Sequence, residues 1–368
     1  MTTRREFLET TAGALAGIAF VGCELLAAAP ARAQARRREV MVNGRRAKTV
    51  DIHAHCQIPE AMALMGMQLG APGSPLPPVL HMATQVSQRL AAMDAQGIDV
   101  EALSINPYWY KADRDLAQKL IRMQNEKLAE ACAAKPDRFV AFATVALQHP
   151  DLAAEQLEEG VKKYGLRGAG IGGSVNGAEL SDPKFHPFWA KAEQLGVVVF
   201  IHPQGTGIAS EAPQRFKGNG LLDNVIGNPL ETTIALSHLI FEGTLDRFPG
   251  LKICAAHGGG FLPSYAARGD LGCLTQPARC PGGTHGPIKK KPSEYLKQMY
   301  YDTMVFTPEG LRHLAAEVGA GQLVVGTDFP YPWTKTAVDH VLGTPGLSDE
   351  QKVAVLGGTA MKLLGIKS

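Results

Sequence analysis

Neither sign of charge prevails in this sequence: 37 Lys and Arg stand against 35 Asp and Glu, for a formal net charge of +2. Without a basic stripe, nothing points to nucleic acid as a partner, and a small, weakly charged substrate fits better. Cysteine is scarce, at 6 in 368 residues, and no CxxC spacing occurs, which removes zinc ribbons and dithiol redox motifs from consideration. The uncharged run from Thr11 to Gly22 is too short and too weakly apolar for a membrane span. What remains, 45% hydrophobic and 20% charged, is material for one large barrel or two ordinary domains.

That uncharged run follows Arg4-Arg5, in Thr3-Arg4-Arg5-Glu6-Phe7-Leu8, and Ala31-Arg32-Ala33 supplies a small-x-small cleavage pattern. Residues 1–33 are therefore expected to be a twin-arginine signal peptide, the mature chain beginning near Gln34 and residing in the periplasm. The alternative is an imperfect lipobox, Phe20-Val21-Gly22-Cys23, with lipid anchoring at Cys23. Export of folded protein suits an enzyme that loads its metal in the cytoplasm. An oxidising periplasm would allow Cys273 and Cys280 to pair, though spacing alone does not decide it.

Residues 34–48 read as a loose basic linker. From residue 49 to 368, eight β-branched or apolar runs alternate with amphipathic stretches: Thr49–His53, Val100–Ile105, Phe139–Val145, Gly168–Ile171, Val197–His202, Lys252–His257, Met299–Asp302 and Leu323–Asp328. Helical patterns follow, such as Ala153–Tyr164 and Leu311–Val318, and Ser181-Asp182-Pro183 opens another. The arithmetic is that of an α/β (β/α)8 TIM barrel. A doubly wound open sheet would carry a Gly-rich phosphate turn after its first strand, and none follows Asp51. The Met-, Gly- and Pro-rich stretch of about 57–80 has no Lys or Arg and reads as a small insertion after strand 1.

Chemistry gathers at the strand ends, where barrel active sites are built. In Asp51-Ile52-His53-Ala54-His55 the two histidines alternate along a strand and so face one spot, half of a site for a cation that favours imidazole. His202, His257 and Asp328 end the fifth, sixth and eighth runs. The fourth run, Gly168–Gly173, has no lysine to bridge a second ion, so one metal is expected. A single Lewis-acidic ion would lower the pKa of a bound water. Asp328 would exchange a proton with that water, and His257, with Gly258-Gly259-Gly260 clearing space for substrate, would act as general acid or base. Trp109 and Tyr110, past the second run, are candidates to stack on a substrate ring, with burial the alternative; Trp333 is a candidate lining of the mouth.

Together with Asn228-Pro229-Leu230-Glu231-Thr232-Thr233, Phe248-Pro249-Gly250-Leu251-Lys252 and Gly326-Thr327-Asp328-Phe329-Pro330, these motifs resemble the amidohydrolase-2 family, and within it the 2-amino-3-carboxymuconate-6-semialdehyde decarboxylase branch, from Val50 onward. The resemblance implies one Zn²⁺ held by His53, His55, His202 and Asp328, His257 as the acid/base, and non-oxidative decarboxylation of an aromatic or unsaturated acid. It also implies a homodimer in which Arg268 reaches across to bind the substrate carboxylate; a surface pair with Asp270 is the alternative. The branch's second substrate arginine is missing from the insertion, and Gln204-Gly205-Thr206 stands where the branch has a tryptophan. A more apolar, monocarboxylate substrate packed against Met62, Met65 and Met67 is therefore expected, with ordinary core packing the alternative for the methionines. A metal-dependent hydrolase of a lactone, ester or amide on the same site is the competing reading.

Overall fold

The computed structural model describes residues 37–67, 86–204, 213–280 and 288–367. The expected signal peptide, Cys23 and all of the insertion beyond Met67 lie outside these residues.

Eight parallel strands carry the chain: β1 (Val50–His55), β2 (Val100–Ser104), β3 (Phe139–Ala141), β4 (Gly168–Ile171), β5 (Val198–Ile201), β6 (Lys252–Ala255), β7 (Tyr300–Asp302) and β8 (Leu323–Val324). β1 to β3 form one ladder and β4 to β8 another. Parallel bridges join the two at both seams, Ala143 to Ala169 and Asp51 to Val325, so the sheet closes on itself. Closure makes this the expected (β/α)8 barrel and excludes the open sheet.

Seven of the eight predicted runs contain their strand, and the first, Thr49–His53, stops two residues short of the end of β1 at His55. The helices between them include α1 (Val86–Gln96), α2 (Arg114–Ala134), α3 (Pro150–Lys162), α4 (His186–Leu195), α5 (Asn228–Phe241), α6 (Leu262–Thr275), α7 (Pro308–Val318), α8 (Ala337–Gly343) and α9 (Thr359–Leu364). Their starts follow local chemistry. Asp113 caps α2 by accepting from Leu116 N–H, Thr307 caps α7 from Gly310 N–H, and a proline fills the first turn of α3 to α7.

Alternation along the strands separates two apolar layers. Val100, Ala102, Val140, Phe142, Val198, Phe200, Cys254 and Val324 fill the barrel interior, whose floor is closed by Ala360, Leu363 and Leu364 of α9. The intervening residues, such as Leu103, Ala141, Val199, Ile253 and Tyr301, pack outward against the helices.

The expectation of a loose linker over 34–48 fails from Arg37 onward. Met41–Val42 pairs with Arg45–Arg46 across an Asn43-Gly44 turn in which both residues have positive φ. Val40, Val42 and Ala47 are buried, and Arg37 and Arg46 both bind Asp99 at the start of β2. The arginines are anchors rather than a solvated tract.

Candidate metal centre

Five ionisable side chains meet at the C-terminal mouth of the barrel. His53 Nε2 lies 3.1 Å from both His55 Nε2 and Asp328 Oδ1. His55 Nε2 is 2.6 Å from Asp328 Oδ1. His202 Nε2 and His257 Nε2 stand 4.0 and 3.9 Å from the Asp328 carboxylate. One donor atom each from His53, His202, His257 and Asp328 falls within 4.8 Å of all the others. The centre therefore has five potential donors, and His257, expected only as an acid/base, is one of them.

The strand pattern explains most of this convergence. Val198 and Phe200 point inward, so His202 does too; Val324 points inward, so Gly326 and Asp328 follow. β1 breaks the rule. Simple alternation would put His53 and His55 on the side of Asp51, away from the interior residues Val50 and Ile52. The register against β2 slips between Asp51 and Ala54: Asp51 pairs with Glu101 and Ala54 with Leu103, leaving Ile52 and His53 together opposite Ala102. This β-bulge lets Ile52 pack the interior while His53, its ring 5.1 Å from Phe200, and His55 also face inward. The two histidines do face one spot, but an extra residue is what puts them there.

The bulge is strapped by Asp51, whose carboxylate accepts from His53 N–H at 2.9 Å, from Thr327 N–H at 3.2 Å and from the Thr327 hydroxyl. Asp302, at the end of β7, was not singled out in the sequence. It is wholly buried, and its Oδ2 lies 2.6 Å from His53 Nδ1 and accepts from His257 N–H at 2.9 Å, while Oδ1 accepts from Gly258 N–H at 2.8 Å. Held from behind at Nδ1, His53 presents Nε2 to the centre. The available signal was its place: an ionisable residue at a strand end, like the other five.

His257 and Asp328 sit at φ +55° and +59°, where the strands turn and re-aim their side chains. The glycines after His257 serve backbone packing rather than substrate space. A Cβ on Gly260 would lie 2.1 Å from Pro229 O, and one on Gly258 2.7 Å from Val305 Cγ1.

Charge and donor chemistry fit a cation here. Burial and the surrounding imidazoles hold His202 well below its usual pKa, so it is neutral and free to ligate. Burial opposes ionisation of Asp328, but His53 and its neighbours outweigh it and hold the carboxyl well below the usual range. Burial also opposes charge on His53, yet Asp328 and Asp302 lift it to about 10. Among the described residues, neither ring nitrogen of His202, nor His257 Nδ1, has a hydrogen-bond partner. Buried polar atoms left bare around a carboxylate are what a bound divalent cation would satisfy.

Residues 50–366 match the amidohydrolase family. The chain belongs to it. The chain is 32% identical to 2-amino-3-carboxymuconate-6-semialdehyde decarboxylase from Dictyostelium discoideum, over 76% of each chain. It is 30% identical to gamma-resorcylate decarboxylase from a Rhizobium species, over 77% of this chain and 88% of the relative. A dihydroxybenzoic acid decarboxylase from a Polaromonas species, solved with bound manganese and the inhibitor 2-nitroresorcinol, superposes with a TM-score of 0.74 at 27% identity, covering 87% of this chain and 97% of that one. These relatives are decarboxylases of small carboxylic acids. This amidohydrolase is thus an enzyme of a superfamily of carboxy-lyases and hydrolases.

The remaining predicted residues of this amidohydrolase divide. Trp109 takes the alternative of burial: it is wholly buried, and its indole N–H donates to Val145 O at 2.9 Å. Tyr110 is buried too, its hydroxyl accepting from Gly172 N–H at 3.1 Å. Met62 is wholly buried and Met65 packs on the outer core, the ordinary use of methionine. Trp333 is exposed, its ring 6.2 Å from that of Phe306. Tyr331, unremarked in the sequence, stands nearer, its ring 5.7 Å from that of His55. Arg268 is exposed on α6, in a surface groove of about 270 Å³ that Phe241, Tyr265 and Pro292 help to line. Asp270 does not pair with it but binds Ser293 N–H at 2.9 Å and the Ser293 hydroxyl at 2.6 Å. Cys273 and Cys280 are joined in a disulfide.

Proposed function

We propose that this amidohydrolase is a metal-dependent non-oxidative decarboxylase of a small aromatic carboxylic acid. The observation that carries the reading is the convergence of four donor atoms from four strands within 4.8 Å, with His55 as a fifth donor beside them. Kinship with decarboxylases of resorcylate and aminocarboxymuconate semialdehyde supports the substrate class.

In this reading His53, His55, His202 and Asp328 hold one divalent ion, and zinc is proposed because imidazole dominates the donor set. When bound, the ion supplies Lewis acidity toward substrate oxygens. The side chain of His257 is 14% exposed against 0%, 1% and 9% for the other three histidines, which gives it the substrate side of the centre. From Nε2 it delivers a proton to the ring carbon that bears the carboxylate; the carbon–carbon bond then breaks, CO₂ leaves, and that proton stands in its place. Asp328, 3.9 Å from the same nitrogen, orients the imidazole.

Arg268 is assigned the substrate carboxylate of a partner subunit. Its lack of an acceptor among the described residues supports this, as do the exposed Tyr265, Leu271 and Leu274 on the same helix. The Cys273–Cys280 disulfide supports the proposed periplasmic location. Recovery of a periplasmic chain beginning near Gln34 tests the export signal, and Cys23 as its first residue would favour the lipid anchor.

The test is elemental analysis of protein purified without chelator, followed by CO₂ release from a panel of hydroxybenzoic acids and, in parallel, hydrolysis of aryl lactones and esters. About one zinc per chain, CO₂ release, and a His257→Gln variant that keeps its metal but releases no CO₂ are expected. Manganese in place of zinc overturns the choice of metal. Hydrolysis without CO₂ release overturns the lyase reading, and a chain that takes up no metal overturns the site.

A further inference from the structure

One buried ionic pair beside this centre has no part in the chemistry above. Arg89 and Glu101 meet at 2.6 Å, each side chain 3% exposed. Arg89 comes from the face of α1 that also buries Met93 and Gln96. Glu101 comes from β2, on the side away from the interior residues Val100 and Ala102. The other terminal nitrogen of Arg89 donates to the His55 carbonyl. Its guanidinium carbon stands 4.6 Å over the Phe329 ring. Phe329 follows Asp328, and its carbonyl accepts from His55 N–H at 2.6 Å. One side chain therefore touches both segments that bring His55 Nε2 within 2.6 Å of Asp328 Oδ1.

Stability is a poor reason for this arrangement. Taking two charges out of water costs about as much as their attraction returns, and apolar side chains of similar volume often fold as well or better. What apolar residues cannot do is bind a carbonyl, a carboxylate and a ring face at fixed angles, which a planar guanidinium does and an ammonium does not.

We propose that Arg89, oriented by Glu101, is a positioning residue that sets the separation of the His55 and Asp328 donor atoms. The inference rests on the metal-centre reading of those residues. Groups behind the ligands of a metal centre commonly alter its affinity on the order of 10- to 100-fold when replaced.

The test compares the intact enzyme with the double variant Arg89→Met/Glu101→Leu, which removes the pair without leaving either charge buried alone. Each metal-free protein is unfolded thermally and then titrated with Mn²⁺, and the electron paramagnetic resonance spectrum of the bound ion is recorded. The expected result is an unfolding midpoint near that of the intact chain, Mn²⁺ binding weakened on the order of 10-fold, and a changed spectrum. Native affinity together with a native spectrum in the folded double variant overturns the proposal. If the double variant does not fold, Arg89→Lys decides: it keeps the charge opposite Glu101 but loses the fork, so weakened binding and a changed spectrum are expected, and native values for both overturn the proposal. Failure of the intact chain to bind Mn²⁺ or Zn²⁺ would instead count against the metal centre itself.

Discussion

The floor and the mouth of this barrel are the two ends of the same eight strands, and they are built on opposite terms. At the floor Val50, Val100, Val198 and Val324 meet Leu363 and Leu364 of α9, and the contacts are apolar. At the mouth His53, His55, His202 and Asp328 are nearly as well buried, yet both nitrogens of His202 lack a hydrogen-bond partner among the described residues. Burial alone therefore does not separate structure from function here. The gathering of donors around one carboxylate does: His202 and His257 leave ring nitrogens without a hydrogen-bond partner among the described residues beside Asp328, a cost in free energy that a bound cation would recover.

The sharpest way to break this contrast is to cut neighbouring residues that serve the two ends. His53→Ala is expected to abolish metal binding and activity, checked by elemental analysis and CO₂ release, while unfolding stays cooperative. Ile52→Ala, one residue earlier, is expected to lower stability by about 3 kcal/mol in denaturant titration while one metal per chain remains. Metal loss in the second variant, or retention in the first, would erase the distinction.

Asp302→Asn is next in size. The amide keeps an acceptor for His53 Nδ1 but loses the charge, so metal affinity is expected to fall on the order of 10- to 100-fold, measured by competition with a chelating dye.

Acid should separate the two ends. Burial works against the charge on Asp99, near the floor, but Arg46, the Thr49 N–H and Arg37 outweigh it and hold its pKa below the usual 3.8. A depressed carboxylate adds stability that is complete above its unfolded pKa and lost as pH falls through the folded one. The hairpin at Met41–Arg46 should therefore stay docked until pH drops below about 4. Metal should leave earlier, as the ligating imidazoles gain protons. Amide exchange in the hairpin and metal release, followed across one pH series, should give two separate transitions; a single shared one would refute the order. Asp99→Asn should cost about 2 kcal/mol without changing metal content.

The smallest effect tests Trp109. Trp109→Phe loses the bond to Val145 O and should cost about 1 kcal/mol while leaving KM unchanged; a raised KM would return this residue to the substrate.

All eight strands were legible in the sequence because parallel barrel strands are short, apolar and evenly interrupted. His53, His202, His257 and Asp328 were legible because each ends such a run, and His55 because it alternates with His53. What stayed hidden has physical reasons. Asp302 also ends a run, but a lone carboxylate there has no partner visible in sequence; its partner, His53, lies 249 positions away. Arg89 looked like any charged helix residue, since only its neighbours in space tell a buried arginine from a solvated one. Trp109 follows the end of a strand, as the site residues do, but its indole turns into the core. Gly258 to Gly260 advertised open space and instead permit close approach.

The extra residue in β1 also decides which errors this strand can survive. Losing Ile52 from the chain would restore an even in-and-out rhythm, with both imidazoles still aimed at the centre and only a void beneath them. Losing Ala54 would turn His55 outward into the helical layer. Two deletions two positions apart thus have unequal consequences, the first one of packing and the second one of chemistry, and the strand tolerates a missing letter only on the floor side of its histidines.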